Sequence, residues 1–130
     1  TALDVSVQAK ILELLKNIQK KEKFSLIFIS HDLGVVKHMC DYIYIMHRGK
    51  FTETGTREDI YNNAKHIYTK RLIASIPQIN PMAKEELKKQ REEVEKEFED
   101  LYSHFYDSNG KVFALEQISE THSVASSTKI

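Results

Sequence analysis

The stretch Phe24-Ser25-Leu26-Ile27-Phe28-Ile29-Ser30-His31-Asp32-Leu33 carries the strongest structural signal in this 130-residue chain. Its first six residues are apolar apart from one serine, and they are β-branched, aromatic or leucine. A run that short and that continuous predicts a strand buried on both faces, as at the centre of a parallel sheet. At Ser30 the pattern turns polar, which places His31 at the carboxyl end of the strand. Open α/β sheets collect ligands at that end. An imidazole there can offer one ring nitrogen to a phosphate oxygen or a water while a carbonyl orients the other. A histidine before a helix can equally be a surface-loop residue, and position alone leaves both readings open.

Upstream, residues 5–22 predict an amphipathic helix. Val7, Ile11, Leu14, Leu15 and Ile18 recur at spacings of three, four and seven, and Lys10, Lys16, Lys20 and Lys21 avoid that stripe. Asp4 or Ser6 can supply its N-cap oxygen, which is the ordinary role for an Asp in that place. A helix followed by a buried strand is half of a βαβ unit, so the strand expected before the helix falls outside this chain. Downstream, Leu33, Val35, Val36 and Met39 predict a helix over 33–40, capped by Ser30 or Asp32. Tyr42 to His47 and Lys50 to Thr54 predict a hairpin about Arg48-Gly49, with an exposed, polar return limb. Thr56 caps a short helix to about Asn62, and Glu58 and Asp59 favour its positive end. A further helix is expected over 67–75, with Leu72, Ile73 and Ile76 turned inward. Residues 82–102 predict a Glu/Lys-rich helix with a narrow stripe of Leu87, Val94, Phe98 and Leu101. Its Glu85–Lys89 and Glu92–Lys96 pairs are worth only ~0.2–0.5 kcal/mol each, so it must dock on something. Residues 104–116 predict a second hairpin about Asn109-Gly110. Ser119 to Ile130 has no periodicity and is expected to be mobile.

With 19 basic and 19 acidic side chains the formal net charge is zero, which speaks against a free-standing nucleic-acid binder. No apolar run reaches the length of a membrane span, and Thr1-Ala2-Leu3-Asp4 does not look like a signal peptide. The single Cys40 cannot form an internal disulfide. Charge is uneven: residues 1–76 hold 12 basic and 8 acidic side chains, residues 77–130 hold 7 and 11. The change falls at Pro77 and Pro81, so the expected division is a compact part over 1–76, a helix–hairpin extension over 77–118 and a flexible tail over 119–130. His38, His47, His66, His104 and His122 lack metal-ligand spacing and read as solvated surface residues, so no metal site is expected in this chain. The four glycines are isolated, which leaves no glycine-rich phosphate loop.

Taken in order, these fragments resemble a family. Thr1-Ala2-Leu3-Asp4-Val5-Ser6-Val7-Gln8-Ala9 is similar to the D-loop and following helix of an ATP-binding cassette (ABC) ATPase. Ile27 to Leu33 is similar to its H-loop, and Asp41 to Lys50 with Glu53-Thr54-Gly55 to the hairpin that follows. Asn63 to Leu72 and Ala74-Ser75-Ile76-Pro77 resemble the C-terminal signature of oligopeptide and dipeptide importer ATPases, which usually read Pro where Ala64 and Ile67 stand here.

The resemblance implies an α/β fold, the C-terminal part of a P-loop NTPase: a parallel strand plus hairpin with flanking helices, and an α+β tail. It implies ATP hydrolysis coupled to peptide transport, with ATP and magnesium bound mainly by segments that precede Thr1 in such proteins: the P-loop, the signature motif and the catalytic Glu. The chain is therefore expected to be a C-terminal fragment, inactive by itself. The resemblance assigns His31 to the γ-phosphate and the attacking water. It assigns Asp4, with Ala2 and Leu3, to a crossing toward a second ATPase subunit. Transmembrane permease subunits are the implied partners, with an extracytoplasmic peptide-binding protein reached indirectly, at the cytoplasmic face of the membrane. Two alternatives remain: a non-transport ABC ATPase, and a non-enzymatic interaction module built from residues 82–116.

Overall fold

The computed structural model describes residues 4–77 and 84–127. The chain divides into two compact units, with the boundary between His31 and Asp32.

The first unit is one helix and an extended segment. α1 (Val5–Glu22) opens on Asp4, whose side chain accepts a hydrogen bond from the Ser6 N–H at 3.1 Å. It closes on Lys23 in the left-handed conformation, with Lys20 and Lys21 at the negative helix end. The expected apolar stripe exists but covers nothing, since Val7, Ile11, Leu14 and Ile18 are all exposed. The strand expected over 24–29 does not form a ladder. The segment belongs to no strand, and the Ile27 and Ile29 side chains are 90% and 91% exposed. A strand exists only by pairing, and no described residue supplies a neighbour for these backbone groups. The parallel strand of the expected fold is thus replaced by an extended segment, and every pairing among the described strands is antiparallel.

The second unit holds α2 (Leu33–Met39), β1 (Tyr42–His47), β2 (Lys50–Thr56), α3 (Arg57–Asn62), α4 (Ile67–Ala74), α5 (Lys84–Asp100), α6 (Tyr102–Phe105), β3 (Leu115–Gln117) and β4 (Ser123–Ala125). Asp32 caps α2, its Oδ1 accepting from the Gly34 and Val35 N–H groups at 2.9 and 3.3 Å. The β1–β2 hairpin turns at Arg48 and Gly49, both with positive φ, as a two-residue turn requires when it must match the strand twist. Thr56 and Asp59 form a reciprocal capping box on α3.

The sheet order is β1-β2-β4-β3. This corrects two expectations. The return limb β2 is not exposed, because β4 pairs with it and Thr52, Glu53 and Thr54 are buried. Residues 119–127, expected to be mobile, contain that strand, with Val124 and Ala125 in the core; residues 128–130 lie outside the described residues. The second hairpin is also replaced. Tyr102–Phe105 is a helical turn, and a single bridge joins Tyr106 to Val112 around the turn at Asp107–Gly110.

The core gathers Ile67, Phe98, Phe105, Tyr106, Val112, Val124 and Ala125. It draws on α4, α5, α6 and β4, so the second unit runs straight across the expected boundary at Pro77; Pro81 lies outside the described residues. α5 docks through its expected stripe, of which Phe98 is fully inside. Its ion pairs reach across to α4: Arg71 binds Glu95 through two hydrogen bonds of 2.8 and 2.7 Å, and Lys70 meets Glu97 at 2.6 Å. Arg71 also lies over the Phe98 ring, 3.4 Å from its centroid.

Candidate functional site

His31 ends the first unit on an exposed bend, immediately before the capping residue Asp32. Its ring is open to a ligand. At the start of α2 the Gly34 and Val35 N–H groups are taken by Asp32. Asp4 stands at the head of α1 as its cap, and among the described residues no hydrogen bond or ion pair links it to His31. Ala2 and Leu3 lie outside the described residues.

The polar chemistry that the sequence reading passed over is buried in the second unit. Glu53, on β2, is fully enclosed. Its Oε1 accepts from the Lys65 N–H at 2.7 Å and its Oε2 from the His66 N–H at 3.1 Å. The third partner is His122, whose Nε2 lies 2.7 Å from Oε1. Beside it, Asp59 accepts from the Thr56 N–H at 3.0 Å and the Thr121 hydroxyl at 2.7 Å. Burial alone would raise the Asp59 pKa, but these hydrogen bonds and the nearby His122 outweigh it and hold the carboxyl below its usual range.

His66 is likewise fully buried, against Phe105 and Tyr106. Its Nδ1 accepts from the Tyr68 N–H at 3.0 Å, capping α4. Burial, reinforced by His47, lowers its pKa to about 3. Neutral His66 therefore carries its hydrogen on Nε2, which has no hydrogen-bond partner among the described residues. His47 is half-buried, stacked on Tyr68 and 2.8 Å from the Tyr106 hydroxyl. Burial lowers the His47 pKa, with Arg48 and Arg71 adding to it, and burial raises Tyr106 to about 12. The hydroxyl is thus the donor and Nδ1 the acceptor.

Next to it, Arg48 donates to the Tyr102 hydroxyl at 2.9 Å and the Gly110 carbonyl at 2.6 Å. Gly110 has a positive φ, and a Cβ there would lie 2.8 Å from the guanidinium. The hairpin tip is thus engaged with the protein itself.

His47, His66 and His122 are therefore not solvated surface residues, whereas His38 and His104 are exposed as expected. Two signals mark the buried ones. His66 directly precedes an apolar helix start, and His122 leads into the small-residue strand Ser123-Val124-Ala125.

Residues 52–114 match the family model described as the oligopeptide/dipeptide transporter C-terminal region. The oligopeptide transport ATP-binding protein OppF of Lactococcus lactis is 49% identical over 122 residues, 94% of this chain and 38% of that protein. This chain is a relative of the ATP-binding proteins of peptide transport. The dipeptide transport ATP-binding protein DppD of Bacillus subtilis is 51% identical over 62% of this chain and 24% of its own length. The glutathione import ATP-binding protein GsiA of Escherichia coli is 46% identical over 63% of this chain and 13% of its own length. The chain thus spans well under half the length of these relatives. No solved structure matches it at a significant level. The match to OppF takes in most of the chain, whereas the family segment stops at residue 114, before β3 and β4.

Proposed function

We propose that this chain works as the C-terminal part of an ATP-binding subunit of an ABC importer for oligopeptides or dipeptides, peripheral on the cytoplasmic face of the membrane. The observation that carries this reading is the 49% identity to an oligopeptide transport ATP-binding protein over 94% of the chain. No helix among the described residues is long and apolar enough to cross a membrane; in this reading the permease is supplied by other subunits.

In this reading His31 contacts the γ-phosphate and the attacking water of ATP. Phosphoryl transfer is governed by positioning and charge stabilisation, so an exposed imidazole donor suits the role. Asp4, with Ala2 and Leu3, lies in the loop that reaches a second ATP-binding subunit. Hydrolysis then drives opening of that pair and, through it, the transmembrane subunits, with a peptide-binding protein delivering substrate from outside.

The residues described here do not furnish a magnesium site. No group of three or more His, Cys, Asp or Glu among them is arranged around an ion, and the Asp32 carboxylate is occupied by α2. In this reading magnesium and most of the ATP contacts belong to other segments of the subunit, and the 130-residue chain alone would not turn ATP over.

The test is reconstitution of the intact subunit with the permease subunits of its own transport system in vesicles. ATP turnover that rises when a peptide-loaded binding protein is added supports the proposal. Turnover indifferent to the permease and to peptide overturns the importer reading and favours a non-transport ABC ATPase.

A further inference from the structure

The two outer strands of the sheet are guarded unequally. β3, at one side, is three residues long and carries Glu116, and both features discourage a further strand from joining it. β1, at the other side, runs six residues, Tyr42-Ile43-Tyr44-Ile45-Met46-His47, with no proline, lysine or carboxylate. The one irregularity in its pairing with β2 leaves the extra residue, Thr52, on β2, so the outer edge of β1 is not bulged. The Arg57 N–H donates to the Asp41 carbonyl, which continues the ladder and fixes its phase. Asp41, Ile43 and Ile45 therefore bond to β2, while the main-chain groups of Tyr42 and Tyr44 face the open edge. Their side chains form an exposed ridge with Phe51: the Tyr44 ring is 5.3 Å from that of Tyr42 and 5.2 Å from that of Phe51, centroid to centroid.

The same chain holds an unpaired strand. Residues 24–29 match β1 in length, and among the described residues no hydrogen bond reaches their main chain. An unpaired apolar strand and an unguarded edge have complementary needs, since each lacks main-chain partners and apolar cover. A strand laid beside β1 places alternate residues on the two faces of the sheet. The segment offers Phe24, Leu26 and Phe28 to one face and Ile27 and Ile29 to the other, against the tyrosine ridge on one side of β1 and Ile43 and Ile45 on the other. We propose that the 130-residue chain pairs with a second copy of itself by exchanging this strand, residues 24–29 of each copy lying along β1 of its partner. The net charge of zero sets up no repulsion between copies. The chain divides just after the segment, between His31 and Asp32, and exchange of an element about such a joint is a low-cost route to a dimer. Reciprocal exchange closes with two chains, whereas one-way addition would leave an open edge at each end and grow without limit. The pairing belongs to the 130-residue chain and does not depend on ATP.

The experiment uses the unaltered 130-residue chain and two variants. Sedimentation velocity from micromolar to millimolar chain is expected to show a species of twice the 15.1 kDa chain mass. As it forms, amide hydrogen exchange slows at Tyr44 and within residues 24–29 together. In a mixture of copies carrying different isotopes, NMR contacts join residues 24–29 of one copy to the partner's Tyr42 or the partner's Tyr44. Ile27→Lys raises the dissociation constant of the dimer about tenfold or more. Leu14→Lys, which puts the same charge on the exposed α1 stripe, leaves it unchanged. Both positions are exposed, so neither variant disturbs a core. A single-chain mass at every concentration overturns the proposal, and so do open-ended assembly and a dimer without contacts from residues 24–29 to its partner. A dimer that Leu14→Lys weakens as much as Ile27→Lys is held by the α1 stripe and overturns it too.

Discussion

Residues 4–31 and residues 32–127 invert each other. The first unit has the cleaner hydrophobic pattern, an amphipathic helix and a continuous apolar run, yet α1 buries no residue and Ile27 and Ile29 stand in solvent. The second unit is patterned less regularly and buries a glutamate, two histidines, three threonines and a serine along with its aromatic core. Periodicity tells which face wants a partner. It does not say that the partner is present, nor that a buried place is filled by an apolar residue.

All six tyrosines lie in the second unit, so their fluorescence reports on that unit alone. The sharpest contrast uses Phe105, which is 4% exposed amid Ile67, Tyr106 and Val124. Phe105→Ala is expected to cost about 3–5 kcal/mol in denaturant titration followed by tyrosine emission. Glu53→Ala comes next. It leaves His122 and two main-chain N–H groups without their acceptor, a loss of about 3 kcal/mol by the same titration. A cost near zero would mean that water reaches Glu53 and that the buried polar seat is not closed.

The acid response of the second unit follows from His66. Its folded pKa of about 3 lies below the unfolded value near 6.5, so the unfolded chain binds the extra proton first. Stability is then complete above about pH 6.5 and declines as pH falls toward 3. Half-buried His47, also lowered, acts in the same direction. In His66→Asn, which keeps a side-chain cap on α4 without a titrating ring, urea midpoints should fall less steeply over that range. An unchanged slope would place the acid sensitivity elsewhere. The smallest effect belongs to the first unit. Ile18→Ala in α1, at a position 39% exposed, should shift the tyrosine transition by about 0.5 kcal/mol or less. A loss rivalling that of Phe105→Ala would end the contrast between the two units.

Much of the second unit can be read from local signals. The β1–β2 turn follows from Arg48-Gly49, the α3 cap from Thr56 and Asp59, and α5 from its stripe through Phe98. Each rests on residues a few positions apart. What escaped rests on distant contacts. Nothing near Thr52-Glu53-Thr54 announces that Ser123-Val124-Ala125 will cover it, some seventy residues on. A glutamate in a polar strand next to threonines reads as solvent-facing until its histidine partner is found. The extended run at 24–29 escaped for the opposite reason: its local signal is strong, but pairing is a property of two strands. Of the candidate site, His31 stands exposed before α2, at the end of an extended segment rather than of the expected sheet strand, and Asp4 serves as the helix cap that its residue type also allowed.

The most direct test of the proposed function compares His31→Ala with His38→Ala in the intact ATP-binding subunit, measuring ATP binding and steady-state turnover side by side. Both histidines are exposed, but only His31 stands at the end of the extended run. The account predicts that His31→Ala keeps nucleotide binding and lowers kcat by about 10²-fold or more, while His38→Ala matches the parent. Turnover of His31→Ala equal to the parent would contradict it.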